Sequence, residues 1–191
     1  MTMALNLSYY GTLAEANQYF ALRLHSIAWD MAEPRDKPKA MYAATKIIDA
    51  LNFKGHRSTV WALLQTFVRE YSNDNDPFLD TYLCRLREDQ IRAAEEQQPL
   101  EFPRGSDTVV PDDVRRACYE IAYNLLDGKD PEMELENLQV TAHGYGLVRT
   151  HYERSMVPQE HIINGIPSVT AWNILKPYLR DSRTARTSRI S

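Results

Sequence analysis

Cysteine is scarce: two in 191 residues, Cys84 and Cys118, both on helix-like patterns. That excludes a disulfide framework and favours a reducing compartment. No apolar run approaches the ~20 residues needed to cross a membrane, and the opening MTMALNLSYYG lacks the charged and apolar regions of a secretory leader, so a soluble intracellular chain is expected. No G-x-x-x-x-G-K-[ST] phosphate loop and no G-x-S-x-G nucleophile elbow occurs. A basic excess is missing too: the formal net charge is −4, which argues against coating of nucleic acid.

The charge that is present is uneven. Residues 1–137 hold 15 Lys/Arg against 23 Asp/Glu, whereas residues 138–191 hold 7 against 3. Arg180, Arg183, Arg186 and Arg189 supply most of the basic end.

Helical periodicity dominates as far as Gly128. Thr12 and Glu15 form a capping box, and Leu13, Ala16, Phe20, Leu24, Ile27 and Met31 recur on one stripe, which predicts a helix running to Pro34. A second helix starts at Asp36, carries Met41, Ala44, Ile47, Ile48 and Leu51 inward, and stops at Gly55. Trp61, Leu64, Val68 and Tyr71 mark a third. Asp76-Pro77 opens a fourth that turns polar after Arg87, and Pro111 with Asp112 and Asp113 opens a fifth, with Val114, Ala117, Ile121 and Leu125 inward.

Beyond Pro131 the period changes to two. Leu138, Val140 and Ala142, then Val148, Thr150 and Tyr152, alternate with polar residues around His143-Gly144-Tyr145-Gly146, predicting a β-hairpin over roughly 138–152. Ser168 caps a short helix bearing Trp172 and Leu175. The expected fold is mainly α: a helical-bundle body (1–129), an arm with a hairpin (130–167), and a docking helix with a basic tail (168–191). A lone hairpin is marginal in water, so the arm calls for a surface, its own or a neighbour's.

Chemistry-bearing clusters are weak. His143, His151 and His161 are spaced by eight and ten, unlike a compact zinc motif, and no metal or cofactor is expected. Adjacent carboxylates such as Glu95/Glu96 and Asp112/Asp113 point about 100° apart on a helix, which does not set two groups across one bond. No catalytic constellation is expected. Most of the eleven Tyr, five Phe and three Trp fall on helix stripes; Tyr145, Tyr152, Trp172 and Tyr178 do not, and protein contact suits them better than base stacking.

One family shares the order and spacing of several segments. These are Tyr10-Gly11-Thr12 followed by Ala16, Tyr19, Arg23 and Trp29; Ala43-Ala44-Thr45 with Ile48-Asp49 and Phe53-Lys54-Gly55; Leu100-Glu101-Phe102-Pro103-Arg104-Gly105; Pro111 with Ala117 and Glu120; and Gly165-Ile166-Pro167-Ser168 to Trp172 and Pro177. In these the chain resembles the tailed-phage head–tail adaptor (connector) proteins, including members described as DnaT-like.

The resemblance implies a non-enzymatic virion protein of the neck, made in the host cytoplasm. It would form a homo-oligomeric ring, commonly of twelve copies, under the portal protein. There it would meet a tail or nozzle component, and DNA would pass through the channel without specific binding. In that frame Trp172, Leu175, Tyr178, Leu179, Arg180, Arg183, Arg186 and Arg189 are expected at the portal, because guanidinium pairs bidentately with carboxylates. Val140, Tyr145, Val148 and Tyr152 are expected on the neighbouring subunit. The alternative is a single-stranded-DNA-binding accessory protein of replication.

Overall fold

A computed structural model describes residues 8–71, 88–139, 142–145, 148–151 and 160–180, and these are mainly helical. They fall into two compact units: residues 1–52 with 112–191, and residues 53–111. The expected 1–129 body is thus divided otherwise than the periodicity suggested, and the C-terminal helix shares a unit with the N-terminal ones.

The first unit is built around one helix. It contains α1 (Leu13–Ala21), α2 (Ile27–Met31), α3 (Asp36–Asp49) and α6 (Asp112–Leu126). The second contains α4 (Ser58–Tyr71) and α5, a helical run at 88–97. The first unit continues with α7 (Pro131–Gln139), strands β1 (Ala142–Tyr145) and β2 (Val148–His151), α8 (Glu160–Ile163) and α9 (Val169–Leu175). Helices α1, α2, α3 and α9 all pack on α6. Its Val114, Ala117, Cys118, Ile121 and Ala122 are fully buried, as are Ala16, Met41, Ala44 and Ile48 around it. Each large aliphatic side chain so buried contributes about 1.5–3 kcal/mol.

Local signals set several boundaries. The Thr12 hydroxyl accepts the Glu15 N–H (3.2 Å) while Glu15 Oε2 accepts the Thr12 N–H (2.8 Å), closing the capping box. Gly128 (φ +82°) ends α6 in a Schellman turn: its N–H reaches Leu125 O (3.1 Å), and the Lys129 N–H reaches Asn124 O (3.0 Å).

The structure corrects four expectations. The predicted first helix does not run to Pro34; it ends at Ala21, and the chain turns through His25 (φ +61°) before α2. The second helix ends at Asp49, short of Gly55. In α4 Val60, outside the expected apolar set, is buried, whereas Trp61 is 37% exposed. Finally, Leu138 lies in a helix, α7, that alternation had hidden. Pro131 fits its first turn and Asp130 caps it, accepting the Glu132 N–H at 3.0 Å on Oδ1.

Strands β1 and β2 pair antiparallel in the register Ala142↔His151, His143↔Thr150, Gly144↔Arg149 and Tyr145↔Val148. His143, Gly144 and Tyr145, expected as the turn, are therefore strand residues. The start predicted at Asp76-Pro77 lies outside the described residues.

Candidate functional site

The proposed docking residues separate into three groups. Trp172 (9% exposed) and Leu175 (0%) are buried in the chain's own core, together with Ala171 and Ile166. Ser168 caps their helix, accepting the Ala171 N–H at 3.2 Å, and α9 lies along α6. Their placement as a portal anchor is therefore corrected: a side chain filling the parent core offers no free surface. Tyr178, Leu179 and Arg180 are half-buried on a stretch that crosses the first unit. The Tyr178 hydroxyl reaches Asp113 Oδ2 (3.5 Å) and the Arg180 N–H donates to Asn52 O (2.9 Å). Arg183, Arg186 and Arg189 lie outside the described residues.

Of the residues assigned to a neighbouring subunit, Tyr145 and Val148 are register partners of the strand pair. Val140 and Tyr152 lie outside the described residues. His143 and His151 stand on opposite strands, and His161 is in α8. Among the described residues no group of three His, Cys, Asp or Glu side chains could hold a metal ion.

A buried polar cluster joins α1 to α6. Glu120, 2% exposed, accepts the Tyr19 hydroxyl on Oε1 (2.5 Å) and pairs with Arg23 on Oε2 (3.0 Å). The Arg23 guanidinium lies 4.3 Å from the Tyr123 ring centroid, so its charge faces both a carboxylate and a π face. Burial, then the Glu120 contact, pushes the Tyr19 hydroxyl up to about 12. Burial likewise raises the Cys118 thiol to about 12, so that group is held protonated at neutral pH.

Gly11 (φ +79°) lies against Tyr119 of α6. A Cβ there would stand 2.1 Å from the Tyr119 hydroxyl, so only glycine meets both the conformation and the close approach. Tyr10 beside it is fully buried, its N–H donating to Thr45 Oγ1 at 3.1 Å and its hydroxyl to Asp49.

In the second unit the segment around 53–59 is clasped to the segment 98–105. Arg104 donates to Lys54 O (2.9 Å) and Gly55 O (2.6 Å) and pairs with Glu101. Arg57 donates to the same carboxylate (2.6 Å) and to Gln98 O (3.1 Å). The buried Gln98 amide oxygen accepts from the Ser58 hydroxyl (2.9 Å) and the Thr59 N–H (3.3 Å), serving the open end of α4. Its nitrogen donates to Leu100 O (3.0 Å) and Pro103 O (2.8 Å). Phe53 and Phe102 meet edge to face at 4.7 Å beneath these bonds. Two sequence segments about fifty residues apart, each quoted for the resemblance, thus form one joint.

Sequence reasoning missed one surface. Leu24, Ile27 and Met31, expected inside, are 84%, 71% and 81% exposed, and Leu22 is 91% exposed. The available signal was Ser26, a cap residue directly before Ile27, which marks a fresh helix start.

This geometry defines a mainly helical protein with an α6-centred unit and a second, polar-clasped one. No protein-family model, curated protein or solved structure matches the chain. Among the described residues no helix is long and apolar enough to cross a membrane.

Proposed function

We propose that this chain is a structural protein of the tailed-phage neck. It is a head–tail adaptor that forms a ring under the portal and links it to a tail component around the DNA channel. The observation that carries the reading is where the quoted residues sit. Tyr10 and Gly11 lie against Thr45, Asp49 and Tyr119, Tyr19 and Arg23 bind Glu120, and Ala16, Trp29 and Ala117 are buried in the same first unit. Phe53, Lys54 and Gly55 meet Arg104 and Phe102 in the second. The likeness therefore rests on residues that hold the fold together, which supports a shared architecture more than scattered surface matches would.

Under this reading the protein acts by assembly and not by catalysis. The paired strands β1 and β2 serve as the arm toward the next subunit, with Tyr145 and Val148 on it. The arginines at 183, 186 and 189 carry the portal contact, where carboxylates receive them bidentately. The acidic excess of residues 1–137 suits a channel wall that repels phosphate and lets DNA slide.

The test is a truncation after Arg180, keeping α9 because Leu175 is core. Removing 181–191 is expected to leave circular dichroism and melting unchanged and to abolish co-purification with the portal protein. Undiminished portal binding by the truncated chain would overturn the assignment.

A further inference from the structure

We infer that the outer face of α7 is the resting place of this chain's own basic end, residues 181–191, and withholds their arginines until a portal takes them. The inference deepens the portal contact proposed above and rests on that reading for the partner it names.

The face is acidic with apolar side chains between the charges. Successive residues of a helix stand about 100° apart, which brings Leu135, Glu132, Glu136 and Met133 side by side within about 160°. All four are exposed, Met133 by 62% and Leu135 by 40%. Asp127 and Asp130, also exposed, precede them, and Glu134 is half-buried at the margin. Five carboxylates over residues 127–136 thus stand against one cation, Lys129, whose Nζ donates to Asn124 Oδ1 at 2.7 Å.

These carboxylates differ from others in the first unit. Glu15, Glu33, Asp36, Asp112, Glu120 and Glu160 each pair with a lysine or arginine of the chain. Among the described residues no cation pairs with Asp127, Asp130, Glu132, Glu134 or Glu136.

Charge and reach select the occupant. Residues 181–191 carry Arg183, Arg186 and Arg189 against Asp181 alone, with Ile190 beside them. Guanidinium groups meet carboxylates bidentately, and their aliphatic stems lie well along Met133 and Leu135. The segment departs from Arg180, two residues after Tyr178, whose hydroxyl reaches Asp113 in the first turn of α6. Helix α6 has 15 residues, about 22 Å, and α7 begins five residues after it ends. An extended chain puts Arg186 about 20 Å and Arg189 about 30 Å beyond Arg180, far enough to pass α6 and meet α7. Tethering gives the segment an effective concentration of order millimolar there, an advantage that no free basic partner shares.

The experiment follows trypsin cleavage after Arg183, Arg186 and Arg189 in the full chain, read by mass spectrometry at short times. It compares wild type, the double variant Glu132→Gln/Glu136→Gln, and Glu95→Gln/Glu96→Gln as an exposed acidic control on α5, with circular dichroism of each. Wild type and control are expected to lose the segment at least threefold more slowly than the double variant, at every protein concentration. Raising the salt to about 0.5 M is expected to remove that protection from wild type with no substitution at all. A segment free one third of the time binds with one third of its intrinsic affinity, so the double variant is expected to bind portal about threefold more tightly. Equal cleavage of wild type at low and high salt, and of the folded double variant, overturns the inference. Protection that grows with protein concentration gives the segment to a second copy and overturns it as well. Protection with portal affinity unchanged by the double variant overturns the withholding of the arginines. Protection as expected, with neither chain binding portal, leaves the contact on α7 standing and removes the portal reading.

Discussion

The two units of this chain are held by different forces. In the first, segments more than a hundred residues apart meet through apolar side chains: Ala16 and Phe20 from α1, Met41 and Ile48 from α3, Ile121 from α6, Leu175 from α9. In the second, two arginines, a glutamine and a glutamate bind backbone carbonyls and one another across a shorter loop. Apolar burial is non-directional and tolerates distance in sequence, because any surface of the right shape serves. Hydrogen-bonded clasps need fixed geometry and lose most when one partner goes missing.

The contrast is sharpest at Leu175. Leu175→Ala is expected to cost about 2–5 kcal/mol in urea unfolding, with hydrogen exchange accelerating along α6 and α3. A loss below about 1 kcal/mol would place α9 outside the core and break the comparison.

Arg104→Ala comes next, at about 1–3 kcal/mol, because it strips the Lys54 and Gly55 carbonyls and the Glu101 carboxylate of a donor. Its exchange signature is expected at residues 53–59 and 98–105. Arg104→Lys is expected to recover little, since an ammonium cannot span those carbonyls and a carboxylate at once. Equal acceleration in α6 would mean that the two units unfold as one.

The smallest effect concerns the cap of α1. Burial alone would raise the Glu15 carboxyl, but the Thr12 hydroxyl and N–H, the Arg115 guanidinium and the Tyr119 hydroxyl together hold it below its ordinary 4.5. The folded value is the lower one, so this stabilisation is present above pH 4.5 and is lost as pH falls through the folded pKa. The group is partly exposed, and solvent screening limits the effect to roughly a few tenths of a kcal/mol. Melting between pH 5 and pH 3, compared with Glu15→Gln, is expected to show a slightly shallower acid decline in the variant.

What the sequence disclosed was local. The capping box at Thr12, the Pro111-Asp112-Asp113 start, the stop at Gly128 and the cap at Ser168 each involve residues within one turn, and all stand in the structure. Apolar spacing also marked Ala16, Phe20, Met41, Ile48 and Ile121 correctly. The end of α1 was hidden because no glycine or proline marks it; a histidine takes the left-handed turn. Helix α7 was hidden because Leu138, Val140 and Ala142 alternate, while the Asp130-Pro131 start carried the better signal. The two-unit division and the Arg104 clasp depend on partners about fifty residues away or more, which no periodicity encodes. For the same reason Trp172 and Leu175 read as an anchor near a chain end, when their partner is α6.

Residues 178–180 touch both Asn52 and Asp113, the points where the chain leaves the first unit and comes back to it. Synthesis runs from the N-terminus, so residues 53–111 emerge from the ribosome with every member of their clasp already made. The first unit has to wait. Its early helices stay without Ile166, Trp172 and Leu175 until the stretch through Arg180 has been made, which makes it the later of the two units to close.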